Sequence, residues 1–177
     1  MKLYIIRHGQ TESNSGHKLL GTTDEGINHY GYKQIMNAKE KLKEIKFDIC
    51  FSSPFKRTLE TANILSNKET PIIIDDRLRE RKFGDLEGGS SNDKYTPDFW
   101  NFYINKSEYG VEPLKYLFNR TKQFIDYLKE NYKDKCILIV SHAATIRALH
   151  YNIVGFDENT DMLSFKVDNG QILEYNL

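Results

Sequence analysis

The chain has 177 residues, enough for one domain that buries about two-thirds of the surface its unfolded form would expose. Lysine plus arginine and aspartate plus glutamate number 25 each, so the formal net charge is zero. This balance argues against a general binder of nucleic acid or membrane surfaces, which needs a basic excess, but it leaves room for a small cationic pocket.

The cysteines and the N-terminal residues indicate a cellular compartment. Cys50 and Cys136 lie in apolar runs, as small core residues do, and two cysteines in a chain of this length do not make a disulfide framework. We therefore expect a reducing cytoplasm. The start MKLYIIRHGQ becomes charged too early for a signal peptide, and no apolar run reaches the roughly 18 residues of a membrane-spanning helix.

Predicted strands and helices alternate along the chain. Continuous apolar runs predict buried strands over residues 2–6, 47–53, 71–75 and 136–142. Apolar residues at helical spacing predict helices over residues 30–45, 53–65, 114–132 and 144–154. Asn28 is the expected N-cap of the first helix, and Ser53 of the second, with Pro54 at its first helical position.

The end of the chain predicts a hairpin. LSFKVDNGQILEYNL reads as two strands around Asn169-Gly170, a strong turn signal. The alternation upstream predicts an α/β fold with a mostly parallel open sheet, to which this C-terminal hairpin adds one antiparallel strand. Because repeats, low-complexity tracts and linkers are missing from the sequence, residues 1–177 are expected to form a single domain, with the irregular stretch 89–113 as a lid or specificity insertion.

Two of the predicted strands end in a histidine, in KLYIIRHG and in CILIVSHA. The carboxyl ends of parallel strands share one edge of a sheet, where ligands bind, so His8 and His142 are expected to face each other there. Arg57 lies in the first turn of the helix that follows the predicted strand 47–53, and Glu80 lies just past the predicted strand 71–75. Both are therefore expected at the same edge of the sheet. A helix N-terminus at this edge is also expected to offer free N–H groups to an anion.

Such a group of side chains suits phosphoryl transfer. The planar guanidinium groups of Arg7 and Arg57 match phosphate oxygens. A neutral histidine can attack phosphorus, and neighbouring arginines favour the neutral form. Fixed cations stabilise the charge that spreads over the phosphoryl oxygens in the transition state. Glu80 could give the leaving alkoxide a proton and then activate the water that hydrolyses the phosphohistidine.

Four stretches in order, IIRHGQTESN, SSPFKRTLETA, LRERKFGDLEG and VSHAATIRAL, resemble the histidine phosphatase superfamily, the phosphoglycerate-mutase-like group. The resemblance spans nearly the whole chain. It implies a three-layer α/β/α sandwich with one antiparallel strand in the sheet. It implies neither a metal nor an organic cofactor, and the sequence offers no metal-ligand cluster against this.

The resemblance also implies a role for each site residue. Arg7 and Arg57 would clamp the phosphate, and His8 would be the phosphorylated nucleophile. Glu80 would be the proton donor, and His142 would assist the phosphoryl group. Asn14 matches an asparagine of the family that hydrogen-bonds phosphate.

The sequence departs from the family pattern at two places. Ile27-Asn28 stands where Leu-Thr is usual, and asparagine caps a helix as well as threonine does. Gly110-Val111-Glu112-Pro113 stands where Gly-Glu-Ser is frequent, so the resemblance does not carry a substrate contact over to this loop.

Each site residue also has a structural interpretation. His8 and His142 could be hydrogen-bonded structural histidines, Arg57 an exposed helix residue, and Asn14 a turn former. Only the register of the family pattern singles out Glu80 from three other carboxylates, Asp75, Asp76 and Glu87. We interpret the remaining histidines, His17, His29 and His150, as structural or surface residues. Ser141 lies in no G-x-S-x-G elbow, and no P-loop pattern is present.

The stretch SSNDKYTPDFWNFYINKSEYG is rich in aromatic residues: Tyr95, Phe99, Trp100, Phe102, Tyr103 and Tyr109. They could pack on the body of the protein, or their rings could line the mouth of the pocket and suit a substrate with a ring or an acyl part. Lys82 and Lys94 could instead attract further negative charge. Both alternatives stay open.

Three functions fit the pattern. The first is a phosphatase that hydrolyses a small-molecule phosphomonoester through phosphohistidine. The second is a phosphoglycerate-mutase-type transferase, which must shield its intermediate from water. Mutases of the family carry longer insertions and a closing tail, so we favour the phosphatase. The third is a non-catalytic phosphate-binding module, which the loss of His8 or Glu80 would favour. The expected partner is a small phosphorylated molecule, with no nucleic acid and no membrane; the sequence predicts no oligomeric state.

Overall fold

The computed structural model describes residues 1–66, 69–91 and 96–177. Its strands are Lys2–Arg7 (β1), Ile49–Ser52 (β2), Ile72–Ile74 (β3), Cys136–Ser141 (β4) and Ile172–Asn176 (β5). Its helices are Glu12–Ser15 (α1), His29–Lys41 (α2), Lys56–Leu65 (α3), Thr96–Phe99 (α4), Leu114–Asn131 (α5) and Ala143–Val154 (α6). Three short 3-10 turns lie at Asp76–Leu78, Gly84–Leu86 and Glu108–Gly110.

The five strands form one mixed sheet in the order β3-β2-β4-β1-β5. The pairs β1/β4, β2/β4 and β2/β3 are parallel, and the pair β1/β5 is antiparallel. Successive side chains of a strand face opposite sides of a sheet. Accordingly Leu3 and Ile5 pack with residues of α5 and α6, whereas Tyr4 and Ile6 pack with residues of α2 and α3. The predicted mostly parallel, three-layer α/β/α arrangement is confirmed.

The predicted C-terminal hairpin is wrong in its first half. The Asn169-Gly170 turn is present, with Gln171 N donating to Asp168 O at 3.0 Å, and it leads into the antiparallel strand β5. The segment before the turn is not a strand, because arginines use its carbonyl groups. Arg147 Nε donates to Phe165 O at 2.9 Å, and Arg7 Nη1 donates to Val167 O at 2.6 Å.

The two predicted helix caps have different outcomes. Asn28 caps α2, since its Oδ1 accepts from Gly31 N at 2.8 Å. A Cβ on Gly31 would lie 2.2 Å from Gln10 O, so this glycine lets α2 begin directly against the loop that follows β1. The expectation that Ser53 caps α3 is wrong, because the helix begins later, at Lys56, with Phe55 as its N-cap. Ser53 is buried and serves another partner, described below.

The aromatic stretch mostly packs on the body of the protein. Phe99 and Trp100 are buried, and Phe102 makes edge contacts with Phe118 and Phe156 at ring-centroid distances of 5.2 and 4.9 Å. Tyr103 and Tyr109 are exposed, and Tyr95 and Lys94 lie outside the described residues.

Over the described ranges, no helix combines the length and the apolar character needed to cross a bilayer.

Candidate active site

The carboxyl ends of the neighbouring strands β1 and β4 bring two histidines together, as their parallel pairing predicts. Arg7 pairs with Ser141 in the register, so the next residues, His8 and His142, leave the sheet side by side. Their ring centroids are 5.1 Å apart, with an angle of 63° between the ring planes. Both side chains are buried.

A cavity of about 460 Å³ opens at this edge of the sheet. Its lining includes five of the six predicted site residues, Arg7, His8, Asn14, Arg57 and Glu80. His142 lies behind them, fully buried, in contact with Arg57. Lys82, which we considered as an attractor of negative charge, is exposed and is not part of this lining.

The His8 ring is held in the tautomer that a nucleophile requires. Its Nδ1 lies 2.8 Å from Gly9 O, and because a carbonyl oxygen only accepts, Nδ1 carries the proton. Nε2 is therefore unprotonated, and it has no hydrogen-bond partner within the described ranges. Burial, and then the charges of Arg7 and Arg57, hold the pKa of His8 well below its ordinary value of 6.5. The ring is accordingly neutral at physiological pH.

The His142 ring is occupied on both sides. Arg57 Nε donates to Nδ1 at 3.1 Å, so Nε2 carries the proton and donates to Ser53 Oγ at 2.7 Å. Burial and the Arg57 charge hold the pKa of His142 well below 6.5. In this arrangement both ring nitrogens of His142 are engaged within the protein, one with Arg57 and one with Ser53.

Arg57 is fixed by more than His142. Its Nη1 and Nη2 donate to Thr23 O and Gly21 O, each at 2.8 Å. Glu87 shapes that loop, accepting from Thr22 N at 2.9 Å and from Thr23 N at 3.0 Å. The carboxylate of Glu87, one of the alternatives to Glu80, therefore supports the arginine at a distance.

The start of α3 offers fewer free N–H groups than the sequence predicted. Lys56 N, its first amide, donates to Asp24 Oδ1 at 2.8 Å, and Thr58 N donates to Phe55 O at 3.0 Å. An acidic side chain of the protein thus already uses the first amide of this helix.

Arg7 and Asn14 both keep donors for a ligand. The Nε of Arg7 is buried and has no hydrogen-bond partner among the described residues. Burial lowers the pKa of Arg7 to about 10, so it stays charged at neutral pH. Asn14 Oδ1 accepts from Asn169 Nδ2 at 3.1 Å and Thr11 N at 3.3 Å, which leaves the Asn14 amide nitrogen for the cavity. Asn14 thus shapes a turn and lines the cavity at once.

Glu80 sits on the N-terminus of α6. Its Oε1 accepts from Thr145 N at 3.2 Å, and its Oε2 accepts from Ala144 N at 3.3 Å. The three other candidate carboxylates do not line the cavity: Asp75 pairs with Arg77, Asp76 pairs with Arg79, and Glu87 holds the 21–23 loop. The geometry therefore separates Glu80 from them.

The sequence did not assign to this site three residues that the structure places at or beside it: Ser53, Asn169 and Arg147. Trp100, one of the aromatic residues considered for the mouth of the pocket, is in the cavity lining. Asn169 looked like a turn residue, but its Nδ2 also donates to His8 O at 3.0 Å. His17, interpreted as structural or surface, lies in the cavity lining, whereas His29 and His150 do not. Across the described residues, no three or more His, Cys, Asp or Glu side chains are placed to hold a metal ion.

The two buried neutral histidines predict a fall in stability at mildly acid pH. The pKa of each is lower in the folded chain than in the unfolded chain, so the unfolded chain binds more protons as pH falls through about 6.5, and stability is lost. Each histidine contributes up to about 1.4 kcal/mol per pH unit below that point.

Urea unfolding at pH 7.5, 6.0 and 5.0 measures this loss. In His8→Asn, which removes one titrating ring, the free energy of unfolding should fall less steeply between pH 6.0 and 5.0. The slope should be smaller by about 1.4 kcal/mol per pH unit. An unchanged slope would mean that His8 is not held neutral in the folded chain.

Comparisons with known proteins identify the family of this chain. The family described as histidine phosphatase superfamily (branch 1) matches residues 3–177. The uncharacterized phosphatase PhoE of Bacillus subtilis is 32% identical over 186 residues, covering 98% of this chain and 93% of that protein. A 2,3-bisphosphoglycerate-dependent phosphoglycerate mutase of Staphylococcus epidermidis is 29% identical over 217 residues, covering 99% of this chain and 94% of the mutase. The crystal structure of the alpha-ribazole phosphatase from Shigella flexneri has a TM-score of 0.83 at 28% identity, covering 100% of this chain and 91% of that one.

Proposed function

The chain belongs to the histidine phosphatase superfamily, and we propose that it hydrolyses a small-molecule phosphomonoester through a phosphohistidine on His8. One observation carries this proposal. The bond between His8 Nδ1 and Gly9 O leaves an unprotonated Nε2 on a ring that lines a cavity together with two arginines. An unprotonated imidazole nitrogen beside fixed cations is what attack on a phosphate dianion needs.

In the first step the phosphate of the substrate lies between Arg7, Arg57 and the Asn14 amide. His8 Nε2 attacks phosphorus, and the ester P–O bond breaks. Glu80, in its protonated form, gives its proton to the departing alkoxide. The arginines stabilise the charge that spreads over the phosphoryl oxygens as the bond breaks.

In the second step the Glu80 carboxylate takes a proton from water, and the water oxygen attacks phosphorus. The P–N bond to His8 breaks, inorganic phosphate leaves, and His8 Nε2 regains its lone pair. Protonated Glu80 is then ready for the next alcohol. These side chains supply each group that the two steps use.

His142 and Ser53 are positioning residues in this proposal. Because Arg57 Nε donates to His142 Nδ1, the ring proton of His142 lies on Nε2, which donates to Ser53 Oγ. These two hydrogen bonds keep the His142 ring neutral and hold the Arg57 guanidinium towards the cavity. We propose that His142 assists the phosphoryl group through Arg57.

The shorter length of this chain argues against the mutase alternative. The alignment with the Staphylococcus epidermidis mutase extends over 217 residues, whereas this chain has 177, so the mutase carries insertions that this chain lacks. A mutase has to keep water from its phosphohistidine, and added segments that cover the site serve that purpose.

Product analysis with a panel of phosphorylated metabolites tests the proposal. We expect inorganic phosphate to be released faster than 2- and 3-phosphoglycerate are interconverted. Interconversion faster than phosphate release would establish the mutase, and saturable phosphate binding without any turnover would establish the binding module.

A further inference from the structure

We propose that the preferred substrates carry a second anionic group, a carboxylate or a second phosphate, and that Arg147 binds it. This inference rests on the proposed phosphatase function and specifies its substrate class. The observation behind it is a guanidinium group in the cavity lining with no role in the two chemical steps.

Arg147 lies on α6, one turn beyond Ala143 and Ala144, which line the same cavity. Its Nε donates to Phe165 O at 2.9 Å. Within the part of the chain that the structure describes, Nη1 and Nη2 have no acceptor, and the guanidinium has no ion-pair partner. Four N–H donors are therefore left for a ligand.

The environment of Arg147 favours an anion. The side chain is partly buried, and this burial lowers its pKa, while the charge of Glu80 acts in the opposite direction. A guanidinium withdrawn from water without a bound counter-charge is unfavourable, and a carboxylate or phosphate on its two Nη atoms removes that cost. The planar fork of the group matches two oxygens of either anion.

Trp100 presents Arg147 to the cavity. The guanidinium carbon of Arg147 lies 5.1 Å from the centroid of the Trp100 ring, and both side chains line the cavity. Stacking on an aromatic ring restricts a long side chain and prepares it for binding. The aromatic stretch thus contributes to specificity through a ring that supports a cation, and its other described rings lie outside the cavity lining.

Arg81 provides a useful contrast on the same ring. Its guanidinium carbon is 5.2 Å from the Trp100 centroid, but its Nε donates to Glu112 O and its Nη1 to Phe99 O, at 2.8 and 2.7 Å. Arg81 is fully buried and does not line the cavity. The hydrogen bonds of Arg81 hold the backbone at Phe99, next to Trp100, whereas Arg147 lines the cavity.

Two matched pairs of substrates test the inference. 3-Phosphoglycerate and glycerol 3-phosphate differ by a carboxylate, and fructose 1,6-bisphosphate and fructose 6-phosphate differ by a second phosphate. In at least one pair, the doubly anionic ester should have a kcat/KM higher by about tenfold or more, the effect expected of one charge-assisted interaction. The pair that shows the preference identifies the anion.

Variants of Arg147 assign that preference to this side chain. Arg147→Gln should reduce the preference by about tenfold or more, and Arg147→Lys, which keeps the charge but not the fork, should reduce it less. The matched control is Lys166→Gln, which removes one exposed positive charge near Phe165 outside the cavity lining and should leave the preference unchanged.

The outcomes separate this inference from the proposed function. Hydrolysis of all four esters without preference in either pair would overturn the inference alone. Equal losses on both members of a pair in Arg147→Gln would do the same. If none of the esters, nor p-nitrophenyl phosphate, is hydrolysed, the proposed function fails and the inference fails with it. Arg147→Gln and Arg147→Lys both lack the Nε that donates to Phe165 O. If either variant is unfolded, the other variant and the wild-type preferences decide, and no preference in the wild-type protein overturns the inference.

Discussion

His8→Ala is expected to lose both turnover and the acid-labile label that substrate phosphate leaves on the protein. The variant lacks the unprotonated Nε2 of the His8 ring, which lines the cavity beside Arg7 and Arg57. Removing a nucleophile that has no substitute should lower kcat by at least about 10⁴-fold. Radiolabelled substrate, an alkaline quench and gel separation measure the label, and phosphate release measures turnover.

His29→Ala is the matched control for that experiment. His29 is exposed at the start of α2, outside the cavity lining, and its loss should leave turnover and label unchanged. Urea unfolding of both variants shows whether they fold. Hydrolysis retained in a folded His8→Ala protein would refute the assignment of His8 as nucleophile.

Glu80→Gln should lower kcat/KM far more for alkyl phosphates than for p-nitrophenyl phosphate. An alkoxide needs a proton to leave, whereas p-nitrophenolate leaves without one. A general acid typically contributes about 10²- to 10⁴-fold, so a loss of that size is expected for glycerol 3-phosphate. Because kcat/KM reports steps only up to departure of the alcohol, the later role of Glu80 in activating water does not enter this comparison.

The matched control is Asp76→Asn, which removes a carboxylate four residues earlier that pairs with Arg79 and does not line the cavity. It should leave both kcat/KM values unchanged. Similar losses on the alkyl and the nitrophenyl ester in Glu80→Gln would count against Glu80 as proton donor.

The sequence predicted the parts of the site that depend on strand ends. Parallel pairing brings the residues after β1 and β4 to one edge, so the meeting of His8 and His142 follows from two apolar runs and topology. The N-cap of α2 was equally predictable, because Asn28 acts on an amide only three residues away. Local rules suffice for such features.

Other features depend on contacts between distant residues, which no local pattern encodes. Arg7 and Arg147 take the carbonyls of Val167 and Phe165, and this removes the first strand of the expected hairpin. Ser53 had the position of a helix cap, but its hydroxyl bonds to His142, 89 residues away. The turn at Asn169-Gly170 was predicted correctly, but the strand expected before it does not form. Ser53 forms a hydrogen bond, as a capping residue does, but with His142 and not with the start of α3.

Glu87 illustrates the same limit on the site itself. In the sequence it was one of three carboxylates weighed against Glu80, with nothing to link it to Arg57. In the structure it holds the amides of Thr22 and Thr23, and the carbonyls of that loop hold the guanidinium. A support of this kind becomes visible only when the loop at residues 21–23 is seen against the segment at 83–87.

The most direct test of the proposed phosphohistidine is a crystal structure with orthovanadate, which mimics a phosphoryl group in transfer. We expect vanadium bonded to His8 Nε2, with its equatorial oxygens accepting from Arg7, Arg57 and the Asn14 amide, and with Glu80 beside the oxygen opposite His8. Vanadate bound away from His8, or bound without contact to Arg7 and Arg57, would contradict the proposal.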